Sequence, residues 1–91
     1  AKGATTVIPE NELMTVTVFP NPTIGDFKLL VKAGSNQMVQ VRVFDSQGKL
    51  YRNFTTTANQ AISLGSEYKA GTYLVEARMG TLTRTTRVVK L

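Results

Sequence analysis

Few side chains in this sequence are equipped for chemistry. Eleven Lys and Arg and six Asp and Glu carry its charge, three Tyr and thirteen Thr supply hydroxyls, and His, Cys and Trp are absent. Without Cys there is no thiolate nucleophile, no disulfide and no thiolate zinc site. Without His, Ser-His-Asp and Cys-His catalysis and imidazole metal ligation are excluded. An enzyme would have to work with a carboxylate pair. The six carboxylates form no paired constellation, and 91 residues hardly build the cleft such a pair needs. Asp45-Ser46-Gln47-Gly48 offers one acid where a calcium loop needs several at alternate positions. The expectation is no enzyme, no metal and no cofactor.

The charge is uneven. Residues 1–48 hold Lys2, Lys28, Lys32 and Arg42 against Glu10, Glu12, Asp26 and Asp45 and balance to zero. Residues 49–91 hold seven bases and two acids (Glu67 and Glu76), so the whole formal charge of +5 lies there. A one-sided basic surface favours an acidic partner. The run from Arg78 to Lys90 contains no aromatic residue. Bases would therefore have no ring to stack on, and no nucleic-acid partner is expected.

The elements that must position these residues read as strands. Met14 onward has a period of two: the valines of Thr15-Val16-Thr17-Val18 share a face, as do Phe27, Leu29 and Val31, then Val39, Val41 and Val43, then Tyr73, Val75, Ala77 and Met79. Ile62 to Leu64 is a short strand, and Lys49 to Thr57 a strand whose inward face the pattern leaves open. Thr81 to Leu91 is the last, with Val88 or Val89 facing the core. No window carries a helical period. Seven short strands in under 100 residues predict an all-β, immunoglobulin-like antiparallel β-sandwich, with a closed oligonucleotide-binding-type barrel as the alternative. Residues 1–12 read as a linker and 13–91 as the domain. No stretch reaches the 18 or so apolar residues of a membrane span. The chain does not begin with Met, and we read it as the end of a longer protein.

Between the strands lie sharp turn signals. In Phe19-Pro20-Asn21-Pro22 two prolines remove two donors and stiffen the exit from the first strand. Gly25 follows, free to take positive φ. Asp45 to Gly48 reads as a hairpin turn with Asp45 accepting backbone N–H bonds and Gly48 left-handed. Tyr73 sits at a strand start, where sandwiches of the immunoglobulin class place a buried tyrosine whose hydroxyl bonds backbone at the corner.

The order of these marks resembles one family. Pro20, Asn21 and Pro22, then Gly25 and Phe27, then Asp45 and Gly48, then Gly71 and Tyr73, then a basic strand ending in Lys90-Leu91, look like the type A C-terminal sorting domain of the type IX secretion system of Bacteroidetes. The likeness covers about residues 14–91. Tyr68 departs from it, since the family more often has an aliphatic residue there. The resemblance implies a secretion address rather than an activity. A cargo protein in transit through the periplasm would be directed by this domain through the outer-membrane translocon, with its shuttle components, to the cell surface or the medium. It further implies that a sortase-like cysteine peptidase cuts in the linker, across Gly3, Ala4, Thr5, Thr6, Val7, Ile8, Pro9 and Glu10. Arg84, Arg87, Lys90 and Leu91 are the candidates for recognition by the translocon, with Arg84, Arg87 and Lys90 taken as surface charges. The other motif residues are read as mainly structural. Pairing of an exposed edge strand with a second copy is a further expectation. The alternative function is a carbohydrate-binding or adhesive module, for which Phe44, Tyr51, Phe54 and Tyr68 would have to form an exposed row.

Overall fold

Alternating side chains build two sheets that bury one face each. The computed structural model describes residues 14–91. Seven strands follow one another: β1 (Met14–Phe19), β2 (Phe27–Ala33), β3 (Met38–Phe44), β4 (Leu50–Thr57), β5 (Ala61–Leu64), β6 (Gly71–Met79) and β7 (Leu82–Lys90). They form a three-stranded sheet, β1-β2-β5, and a four-stranded sheet, β4-β3-β6-β7, with antiparallel pairing throughout. The order is that of an immunoglobulin-like sandwich whose fourth strand pairs in the second sheet. Two separate sheets rule out the closed barrel.

The period of two places the core as expected. Phe27, Leu29 and Val31 of β2 face Val39, Val41 and Val43 of β3 and Tyr73, Val75, Ala77 and Met79 of β6, all buried. Met14 and Val18 complete the face of β1. On β7 it is Val88, 1% exposed, that enters the core, while Val89 is half-buried. At about 25 cal/mol per Å² of apolar surface removed from water, this shared interior supplies the main driving force for the fold.

β4 breaks the alternation. Val43 pairs with Arg52 but Phe44 with Leu50, so Tyr51 is an extra residue in a β-bulge. A bulge lets two successive residues point to one side. Tyr51 packs its ring on Tyr68 and Tyr73, with centroids 4.8 and 5.5 Å away, and Arg52 reaches Glu67 at 3.4 Å. This shift is why the pattern over residues 49–57 gave no inward face.

The proposed cut region, Gly3 to Glu10, and the linker of residues 1–12 lie outside the described residues.

Candidate functional site

Strand direction gathers every motif at one end of the sandwich. The exit of β1, the start of β2, the β3–β4 turn, the end of β5, the start of β6 and the end of β7 all lie there, as the pairs Phe19↔Lys28, Phe27↔Leu64, Phe44↔Leu74 and Gly71↔Lys90 require. Met14, where the described chain begins, is at the other end, opposite Ala33.

The Pro-Asn-Pro segment is more than a rigid exit. Both of its X–Pro bonds are cis. After Phe19 the chain leaves the three-stranded sheet and runs parallel to the end of β7. Proline cannot donate, so Asn21 and Thr23 make the bonds. The Asn21 amide donates to the Arg87 carbonyl at 2.8 Å and accepts the Val89 N–H at 3.0 Å. Thr23 donates its N–H to the Val89 carbonyl at 2.9 Å and accepts the Leu91 N–H at 2.7 Å.

Lys90 corrects the expectation of a surface charge. It is 7% exposed, and its Nζ donates to the carbonyls of Gly25 at 2.6 Å and Gly65 at 2.5 Å. The register explains this: residues of β7 alternate, so Lys90 points to the same side as core-facing Val88. A buried ammonium is tolerated only when hydrogen-bonded, and two loop carbonyls do that here. Lys90 thereby ties two motif segments, its own and that of Gly25, to the loop at Gly65. Arg84 and Arg87 are exposed as expected, and Leu91 is 65% exposed.

Gly25 does not use the freedom open to a glycine. Its φ is not in the left-handed region, which among the described glycines holds Gly48, Gly65, Gly71 and Gly80. Gly65 is the position that demands glycine: φ is 92° and a Cβ would sit 2.6 Å from the Phe27 ring. Sequence reading passed over Gly65 because only the folded chain brings Phe27 beside it. At the β3–β4 turn the reading is met. Asp45 Oδ1 accepts the N–H groups of Gln47 and Lys49 at 2.9 Å each, and Gly48 has φ 82°.

Tyr73 forms the tyrosine corner. It is buried and its hydroxyl donates to the Lys69 carbonyl at 2.7 Å. Burial raises its pKa, with the Tyr51 and Asp45 charges adding to the rise. Tyr68 is buried beside it, yet its hydroxyl has no hydrogen-bond partner. Burial pushes this phenol up to about 12 against the pull of Arg52. The carbohydrate reading needed a flat exposed row. Phe44 and Phe54 are half-buried, Tyr68 is inside, and the Tyr51 ring stands at 77° to that of Tyr68. These four rings form no stacking platform. An open depression of about 240 Å³, lined by Asp26, Arg52, Ser63 and Glu67 among others, is not enclosed enough to exclude water from a reaction.

Residues 17–91 match the family of secretion system C-terminal sorting domains. The chain belongs to this family. It is a type IX C-terminal sorting signal, a class that is generally not catalytic. Membership implies interaction with the type IX secretion machinery and a secreted or cell-surface cargo protein. No curated protein matches the chain. Among the described residues no helix is long and apolar enough to cross a membrane.

Proposed function

We propose that this domain directs its parent protein from the periplasm through the outer-membrane translocon, and that the translocon and its shuttle components read the motif end. The observation that carries the reading is the convergence of all five motifs at the end opposite Met14. A preceding cargo would enter at Met14 and leave the motif end clear. Arg84, Arg87 and Leu91 are exposed on β7 and its end and available to a partner, and Lys90 holds the strand that presents them. A sortase-like cysteine peptidase would then cut in Gly3 to Glu10, because a peptidase needs an extended substrate and this segment carries no strand pattern.

The test is a fusion of residues 1–91 to the C-terminus of an exported fluorescent protein. It should reach the surface or medium of a host with a type IX translocon and stay in the periplasm of a strain lacking it. Equal export by both strains refutes the proposal. Mass spectrometry of the released domain should place its first residue within residues 3–12, and a first residue at Val16 or beyond contradicts the assigned cut.

A further inference from the structure

The outer face of the four-stranded sheet should be polar, since water covers it. Toward its far end one complete row is: Thr55, Gln40, Arg78 and Thr83 lie side by side across the four strands, with Met38 a single apolar side chain beyond them. The row at the motif end is different. Leu50 pairs with Phe44, Phe44 with Leu74, and Leu74 with Arg87, which places these four residues side by side across β4, β3, β6 and β7. With strands about 4.8 Å apart the row is about 15 Å long. Leu50 is 48% and Leu74 41% exposed, Phe44 is half-buried, and half-buried Val89 continues the apolar surface beside Leu74 and Arg87.

The charge around this row is net positive. Its face holds Arg42, Arg78 and Arg87 against the single carboxylate of Glu76, so 3 − 1 leaves +2. Glu76 is already taken: the Arg42 Nε and Nη2 donate to its Oε1 at 2.8 and 2.6 Å. Arg42 also lies 5.4 Å from the centre of the Phe44 ring. Arg87 and Arg78 have no carboxylate partner among the described residues.

We infer that the Leu50–Phe44–Leu74–Arg87 row is a docking surface for another protein, one that presents an apolar strip bordered by carboxylates. Apolar contact supplies the affinity, and the unpaired guanidinium of Arg87 supplies orientation and rejects basic surfaces. This rests on the sorting reading and narrows it. Recognition would centre on the sheet face beside β7, so that Leu74 on the neighbouring strand and Leu50 at the opposite edge of the sheet take part.

The fluorescent fusion tests it. Leu50→Ser with Leu74→Ser should leave the melting temperature near that of the parent, because both residues lie on the solvent face, outside the buried core. Export should fall about tenfold. Leu74→Thr alone, a substitution that suits a strand, should give the same direction of change without perturbing the fold. Arg87→Glu should also lower export, by reversing the charge. Met38→Ser is the control, on the same face at its opposite end and 65% exposed, and should export fully. If all three row variants melt like the parent and export at full yield while the unmodified fusion still requires the translocon, the row is not the docking surface. Loss of that translocon dependence in the unmodified fusion would instead remove the sorting reading. Concentration-dependent dimers of the purified domain, abolished by the double change with export intact, would assign the row to a second copy and overturn the inference.

Discussion

Two buried tyrosines at the motif end differ by one hydrogen bond. The Tyr73 hydroxyl is satisfied by the Lys69 carbonyl, and the Tyr68 hydroxyl is not satisfied at all. Tyr73→Phe should therefore cost about 1 kcal/mol in urea unfolding, the usual net worth of such a bond. Tyr68→Phe removes a desolvated group that gains nothing, and should be neutral or stabilising by a similar amount. The two phenols also set the alkaline limit. Burial raises both pKa values, that of Tyr68 to about 12, so the fold holds these protons more tightly than the unfolded chain does. Their contribution is complete below the ordinary tyrosine value of about 10 and is lost as pH rises through the folded value. Tyr68→Phe should accordingly flatten the fall in stability between about pH 10 and 12, leaving the part due to Tyr73. Parallel stability curves for parent and variant across that range would contradict the burial of this hydroxyl.

The last strand is held by side chains from distant parts of the sequence. Lys90→Met removes an ammonium that two loop carbonyls accept, and should cost about 1–3 kcal/mol. Asn21→Ala deletes two bonds to β7 at an exposed site and should cost about 1 kcal/mol. Each should speed hydrogen exchange at the Val89 and Leu91 amides, which bond Asn21 and Thr23. Arg84→Ala with Arg87→Ala should stay within about 0.5 kcal/mol for each change. A Lys90 variant as stable as the arginine pair would show that its ammonium clasps nothing. This contrast marks the limit of what the chain alone could tell. Strands with one buried face were legible, because alternation at Phe27 to Val31 or Val39 to Val43 has a single physical reading. β4 was not, because a bulge at Tyr51 reverses its parity and the exposed edge leaves little burial to read. Asp45 was legible because its partners are two and four residues away. Lys90 was not, because its partners are 65 and 25 residues away and only register decides that it points inward.

For the molecule as a whole, position along the sandwich is the variable to test. The four-stranded sheet has two hairpin turns, one at each end. The β3–β4 turn, closed by Gly48 at φ 82°, lies at the motif end. The β6–β7 turn, closed by Gly80 at φ 61°, lies at the end where Met14 is. Gly48 and Gly80 are exposed, and a Cβ at either would meet nothing within 4 Å, so both turns face open solvent. A short Gly/Ser-rich insert in either turn should cost a similar, small amount of loop entropy, about 0.6 kcal/mol for each doubling of length. The insert after Gly48 also separates Asp45 from Lys49 and removes the bonds between them, which adds about 1–2 kcal/mol, and the melting temperature should register this difference. Export should differ far more than stability does. An insert after Gly80 stands among the ends farthest from the motifs and should leave the fusion exported at parental yield. An insert after Gly48 stands beside Leu50, Phe44 and Leu74 and should lower export well beyond what its melting temperature explains. A stability-matched comparator separates the two effects: Val88→Ala opens a core position on β7 and should cost about 1–3 kcal/mol without changing the surface of the motif end. If export falls only as stability falls, with both inserts and Val88→Ala on one line, the domain is recognised merely as a folded unit. If the Gly48 insert drops far below that line, the address is read from the end the cargo leaves free.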